Sequence, residues 1–395
     1  MLGAGAMGRI AARDLAETAP HGSTVVIADA DANVAARVTR SLPRSRRVVL
    51  QSASIDAAEP RRVAALLRSV SAFAIINATH HRFNLQVMDA ALAGGAHYCD
   101  LGGLFHHTRT QLRRHAAWKR ADRLALVGIG AAPGIVNVLA RSAADTMDVV
   151  REIHVAVAGI DRTRGRRRPP FGVSYSVRTL FEEASRPAAV FSGGRLRFEP
   201  PMSGAREVRF PSPVGWQAPA LTLHSEVATL PRSYRVKGIR ECTFRIALPP
   251  ETVQRLAFLR DIGLLSTTPI RIGGAVIAPR EWLAAVVERA APPPWHGIPV
   301  EYEILRVVVR GRRNRTPVED TIDCHVRGNR AWRVGIDVDT GCPPSIAMQM
   351  LARGEITARG VVAPEQAIPA QPFFRELQRR GMLIRTRRRP WSSPA

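Results

Sequence analysis

Cysteine is scarce in this chain: Cys99, Cys242, Cys324 and Cys342 are the only four, and no two form a C-x-x-C pair. That spacing excludes a zinc knuckle and a disulfide framework. No two histidines stand four apart with an acid on a helix, so no metal site is expected. Long apolar runs are missing too, since no stretch approaches the roughly 20 residues needed to cross a bilayer. With no charged-apolar-small leader at the start, the expected compartment is the cytoplasm, without a membrane partner. Lysine is nearly absent. Only Lys119 and Lys237 occur, so the formal net charge of +24 rests on arginine spread along the whole chain. Aromatic residues, at 6%, are too few to interleave with that charge as a single-strand nucleic-acid groove requires. The clusters at Arg164, Arg166, Arg167 and Arg168 and at Arg385, Arg387, Arg388 and Arg389 therefore read as solvated loop and tail. Nucleic acid is the weaker partner class.

What is present is enough for two domains: 395 residues, 46% of them hydrophobic. The chain opens on Gly3-Ala4-Gly5-Ala6-Met7-Gly8, a G-x-G-x-x-G run leading into a helical segment. In a dinucleotide-binding unit the first glycine makes the tight turn, the second admits the pyrophosphate, and the third lets helix and strand pack closely. The helix N-terminus adds free N–H groups and a positive dipole. Thr24 to Asp29 then reads as a buried parallel strand ending in an acid. Gly8 to Asp29 spans the about 20 positions expected for the acid on the adenosine ribose. A carboxylate there favours NAD over NADP, with NADP left open by Arg37 and Arg40. Asp31 is the competing acid, or else the N-cap of the next helix.

Strands and helices keep alternating: strands at 47–50, 72–77, 98–101 and 124–128, helices at 56–67, 83–93 and 107–121. This predicts a Rossmann-type, doubly wound parallel α/β sheet over 1–135, with Asp29, Asn77, Asp100 and Gly130 facing one crevice at the carboxyl ends of the strands. Only Met1 and Leu2 precede the glycine turn, so the first strand is truncated. A central strand has neighbours on both sides. The expectation is that translation begins upstream, with about five more apolar residues, or that this form binds NAD poorly. From about residue 152 the sequence alternates as strands do, with a glycine-turn hairpin at 190–198, a long β-rich run at 300–309 and a loop at Pro292, Pro293 and Pro294. That predicts a mixed-sheet α/β domain over 136–340, followed by a helical segment over 341–395.

Tyr98-Cys99-Asp100-Leu101-Gly102-Gly103, the stretch Gly128 to Asn137, the run His224 to Pro231, Gly354 to Glu365 and Pro372 to Leu377 together resemble the saccharopine dehydrogenase-like family, in the short branch that contains lysine 6-dehydrogenase. The likeness covers nearly the whole chain. It implies a Rossmann domain, a middle domain carrying substrate contacts and a homodimer interface, and a C-terminal segment packing back on the first domain. It also implies hydride transfer between nicotinamide and a carbon bonded to nitrogen in an amino acid or an imine derived from one. By the resemblance, Gly3, Gly5, Ala6, Met7 and Gly8 hold the pyrophosphate, Asp29 the ribose, and Asn77 and Ala78 the nicotinamide ribose, while the loop with Gly130, Pro133 and Gly134 covers the nicotinamide. Asp100 falls where a family acid lies near the substrate. The chain departs from the family pattern at Thr79-His80-His81.

On the chemistry of the residues, Asp100 can hold a substrate ammonium, and His80 or His81 can move its proton because imidazole titrates near neutrality. The other reading makes Asp100 a helix cap and both histidines helix-start residues bonded to backbone. A substrate carboxylate needs an arginine fork, for which Arg178 and Arg232 are candidates. Tyr98 and His224 complete the expected substrate contacts, His224 sharing one strand face with Glu226. Two other classes remain open: a nucleotide-binding relative without catalysis that acts as sensor or structural partner, and a basic nucleic-acid-binding protein.

Overall fold

The computed structural model describes every residue except 45, 167–170, 172–174, 291–294 and 393–395. Arg167, Arg168 and the Pro292–294 loop lie outside the described residues. The first domain is a parallel sheet with helices on its faces. Strand Ser23–Asp29 pairs with Val48–Ser54 on one flank; Ala74–Asn77, His97–Asp100 and Leu124–Leu126 follow on the other. Gly360–Val362, from the far end of the chain, adds parallel to Leu124–Leu126 and forms the edge.

Leu2 joins the two flanks. Its N–H donates to the Ile76 carbonyl at 2.8 Å, its carbonyl accepts from Ala78, and Gly3 N–H reaches the Ala28 carbonyl. The amino group of Met1 donates to Val26 O at 2.7 Å, and burial lowers its pKa to about 6. Met1 and Leu2 thus stand in the central strand position between the two flanks. Beyond it a cavity of about 400 Å³ opens between Ser23–Val26 and Phe73–Ile76, floored by Val63, Leu66 and Met348. The parallel sheet is therefore continuous only at the carboxyl ends of its strands, the ends at which sheets of this kind bind ligands.

The second sheet is mixed. Its order runs Leu383–Pro390, Thr316–Val326, Glu301–Arg313, Val149–Asp161, Glu241–Ile246, Ala188–Ser192, Arg195–Glu199. Val149–Asp161 and Glu241–Ile246 are parallel; the other pairings along that order are antiparallel. The segment at 385–389 is a strand rather than a solvated tail. Arg388 forks onto Asp320 at 2.6 and 2.8 Å, and Arg389 reaches Glu319 at 2.7 Å, so acids on the neighbouring strand take up that charge. The helix expected over 107–121 is two, Leu104–Leu112 and His115–Arg120.

The C-terminal helices clamp the first domain. Val338–Ala352 packs on Ala6–Thr18, and Arg380 forks onto the buried Asp14 at 2.5 and 2.9 Å. Because Arg380 brings five donors and Ser345 also donates to Asp14, the buried charges are both paired and hydrogen-bonded. Among the described residues no helix is long and apolar enough to cross a membrane.

Two histidines make the fold acid-sensitive. His97 Nδ1 accepts from Leu124 N–H at 2.9 Å and His80 Nδ1 from Arg82 N–H at 3.2 Å, so protonation there breaks a backbone bond. Burial first, then neighbouring cations, lowers each pKa from 6.5 to about 4. Between those values the unfolded chain binds more protons than the folded one, so stability falls as pH drops through that window. Urea unfolding midpoints measured across it should decline less steeply in H97N, which keeps an acceptor and does not titrate. An unchanged slope would discount His97.

Candidate active site

The glycine turn is shaped for a dinucleotide. Gly3 has φ +91°, and a Cβ there would stand 2.9 Å from the Ala78 carbonyl. A Cβ on Gly8 would overlap the carbonyl oxygen of Gly3. Gly5 differs: it is exposed, its φ of −72° suits any residue, and nothing lies within 4 Å of its Cβ position. It is the N-cap of Ala6–Thr18 and gives no side-chain cap, leaving first-turn N–H groups such as those of Ala6 and Met7 for an anion. Asp29 fastens the turn by accepting from Ala4 N–H at 2.7 Å and Asp31 N–H at 3.1 Å. Asp31 caps the next helix through Asn33 and Val34. These residues fit a dinucleotide, with open space at the one glycine whose Cβ would meet only a ligand.

At the neighbouring strand ends, Asn77 organises its loop. Its Oδ1 accepts from Thr79 Oγ1 at 2.6 Å and its Nδ2 donates to Asn84 at 2.9 Å. Ala78 lies against Gly3 through its backbone. The loop at 130–134 closes on itself: Gly130 N–H donates to Pro133 O at 2.7 Å, and Gly134, at φ +131°, sits where any Cβ would strike Gly130. Asn137 pins it by accepting from Gly134 N–H at 3.0 Å.

Asp100 does not face the crevice with a free oxygen. It is fully buried and accepts from Gly102 N–H at 2.9 Å, Gly128 N–H at 2.8 Å, Tyr98 O–H at 2.8 Å and Gln111 Nε2 at 2.6 Å. Four donors fill its acceptor positions, so it ties the two loops together instead of meeting an ammonium. Burial raises its pKa, against which all four donors work. Tyr98, its partner, is equally buried and belongs to the core.

His80 and His81 follow the Ala74–Asn77 strand, His80 half-buried and His81 buried. His80 caps its own short turn with Nδ1, while Nε2 is buried without a partner. His81 Nε2 lies 3.5 Å from Glu182 of the second domain, and its ring meets His107 edge-on at 4.9 Å. Glu182 also takes Arg280 Nη2 at 3.4 Å and Arg186 Nε at 3.8 Å. Burial opposes its charge, yet His81, Arg186 and Arg280 together hold its pKa down at about 2. One residue along the same helix, Val177–Ser185, Glu183 faces His224 at 3.6 Å.

His224 lies just before a helix, Glu226–Ser233, and not on a strand shared with Glu226. Its Nδ1 is 2.6 Å from Glu226, and its ring stacks on Phe244 at 3.7 Å. Arg178 is drawn onto Glu281 and Glu288 and so presents no free fork, while Arg232 is exposed at the C-terminal end of the Glu226–Ser233 helix. Glu182, Glu183 and Arg280 are absent from the sequence reading. The helix start at Pro279 is legible, but nothing local separates Arg280 from the many other arginines.

Two family models match the chain: the saccharopine dehydrogenase NADP binding domain over residues 1–126 and the saccharopine dehydrogenase C-terminal domain over 130–382. Carboxyaminopropylagmatine dehydrogenase of Synechocystis is 20% identical over 84% of each chain. Carboxynorspermidine synthase of Vibrio alginolyticus is 22% identical over 96% of this chain and 94% of its own. Among solved structures, apo saccharopine dehydrogenase (L-Glu forming) from Saccharomyces cerevisiae superposes with a TM-score of 0.72 at 15% identity, covering 98% of both chains. The glycine turn, the crevice and these two matched models agree: the chain belongs to the saccharopine dehydrogenase family and is an NAD(P)-dependent oxidoreductase of amino-acid-like substrates.

Proposed function

We propose that this protein interconverts the amine and imine forms of a C–N bond in an amino-acid-derived substrate, with NAD(P) as redox partner. The observation that carries this reading is His81, a buried histidine that follows the Ala74–Asn77 strand and lies 3.5 Å from Glu182. With Nε2 turned to Glu182, the ring leaves Nδ1 to exchange a proton with the substrate nitrogen, as a general base oriented by a carboxylate does. The glycine turn would hold the pyrophosphate of NAD(P) and the loop with Gly130, Pro133 and Gly134 would cover the nicotinamide, which would supply or take up the hydride. In the oxidative direction the nitrogen releases its proton to His81 Nδ1; in the reductive direction His81 returns it.

Arg280 fits the substrate carboxylate. Its side chain is 7% exposed, yet among the described residues its guanidinium makes a single long contact, to Glu182, leaving donors of the fork for a planar anion. Asp29 favours NAD, since a 2′-phosphate would approach its carboxylate. Exposed Phe258, Ile262, Ile270, Ile272, Val276 and Trp282 on the second domain suit the expected homodimer.

Purified protein given NAD(P)H, a panel of oxo acids and a panel of amines should consume the reduced nicotinamide with at least one pair. H81N should lower kcat by roughly 10²–10⁴-fold with NAD(P)H affinity unchanged. Tight NAD(P)H binding with no turnover on any pair would instead identify a non-catalytic relative.

A further inference from the structure

The C-terminal segment 360–368 grips both stems of the loop at 130–134. Before the loop, Gly360–Val362 pairs in parallel with Leu124–Leu126, and Val362 O accepts from Val127 N–H at 3.0 Å. After it, Ile368 O accepts from Arg141 Nη1 at 2.8 Å, on the helix Ile135–Ala144. Between these two holds stands Glu365, on the short helix Pro364–Ala367 and 4% exposed. Its Oε2 accepts from Asn137 Nδ2 at 2.8 Å and its Oε1 from Ser233 Oγ at 2.8 Å.

Asn137, equally buried, connects this acid to the loop. A side-chain amide presents an acceptor on one side and a donor on the other. Oδ1 takes Gly134 N–H at 3.0 Å, so Nδ2 faces away from the loop, toward Glu365 and, at 3.3 Å, Thr229 Oγ1. Reversed, the amide would set two donors against each other at Gly134. Glu365 is the closer of the two partners of Nδ2 and so holds the orientation that keeps Gly134 N–H paired. The loop depends on that bond. Gly134 is buried, where an unpaired N–H is costly, and it lies at φ +131°, a conformation that only glycine adopts readily.

We infer that Glu365 is a positioning residue: through Asn137 it sets the shape of the 130–134 loop, so that docking of the C-terminal segment completes the crevice. Where that loop covers the nicotinamide, Glu365 also places the ring; this consequence rests on the redox reading above. The role is one of hydrogen bonding. A glutamine at 365 can still accept from Asn137 through Oε1 and turn Nε2 to Ser233 Oγ, whereas a methionine fills similar space and offers only a weak sulfur acceptor.

The test compares the unaltered protein with E365Q and E365M. Hydrogen exchange without coenzyme reads the loop. Fluorescence of bound NADH or NADPH, with affinity by calorimetry, reads the nicotinamide, and neither needs turnover. E365M is expected to exchange the amides of 130–138 about tenfold faster, with those of the Glu301–Arg313 strand unchanged. Its bound coenzyme should fluoresce more like free coenzyme, at an affinity within about threefold of the original, because the pyrophosphate is held at the glycine turn. E365Q should match the unaltered protein throughout. Unchanged loop exchange in E365M overturns the positioning role, as does an E365Q as altered as E365M, or faster exchange spread evenly over both sheets, which a merely structural loss would give. Faster loop exchange in E365M, repaired in E365Q, with coenzyme fluorescence unaltered supports the positioning role and refutes the loop as a nicotinamide cover. Should E365M not fold, E365A is read in the same way, and failure of both to fold overturns the inference by making the acid structural.

Discussion

G5A should keep its stability and bind its cofactor more weakly, whereas G8A should be weakened in both. A Cβ on Gly5 meets no protein atom within 4 Å and needs no unusual backbone, so apo melting temperatures of G5A and the unaltered protein should coincide. The methyl would instead stand where the pyrophosphate comes closest to the chain. NAD(P) affinity by calorimetry should fall about a hundredfold, equivalent to about 2.7 kcal/mol. On Gly8 the same methyl overlaps the Gly3 carbonyl, so the helix must move off the turn. Overpacking of that kind costs about 1–3 kcal/mol, and G8A should melt lower even without cofactor. If G5A binds NAD(P) normally, the dinucleotide does not cross the N-terminus of this helix.

The second large effect concerns the cavity beside Leu2. Fusing a short apolar strand such as Val-Ile-Val-Ile ahead of Met1 should fill it and pair the backbone edges of Ser23–Val26 and Phe73–Ile76. Each buried β-branched side chain contributes about 1.5–3 kcal/mol, against roughly 1–2 kcal/mol of backbone entropy per ordered residue. The balance is a net gain of a few kcal/mol, or a rise in melting temperature of roughly 5 °C. It also replaces the buried amino group of Met1, whose pKa burial has lowered to about 6, with a peptide N–H that carries no charge. A fused segment of alternating Gly and Ser should give no rise. An equal rise with both segments would mean that the cavity is not strand-selective.

Much of the first domain is legible from residue order. The glycine turn, the acid at 29 and the strand-helix alternation are local signals, each decided by backbone sterics and side-chain periodicity within a few residues. The hairpin at Gly193-Gly194 is legible for the same reason, both glycines having positive φ. The site is less so. Asp100 stands at a strand end as expected, but whether an acid there faces a ligand or is consumed by loop donors depends on Gly128 and Gln111, which are remote in sequence. The strand at 385–389 looks like a tail because its arginines have no acid nearby in sequence; Glu319 and Asp320 come from a neighbouring strand.

The sequence by itself determined the fold class, the dinucleotide turn and the family, because those reside in short motifs whose geometry is set by adjacent residues. Only the tertiary structure decided which charged groups meet in the crevice. Arg280 and Glu182 are 98 positions apart, and His81 meets Glu182 across a domain boundary. No local propensity records such meetings. They follow from how two sheets and their helices pack.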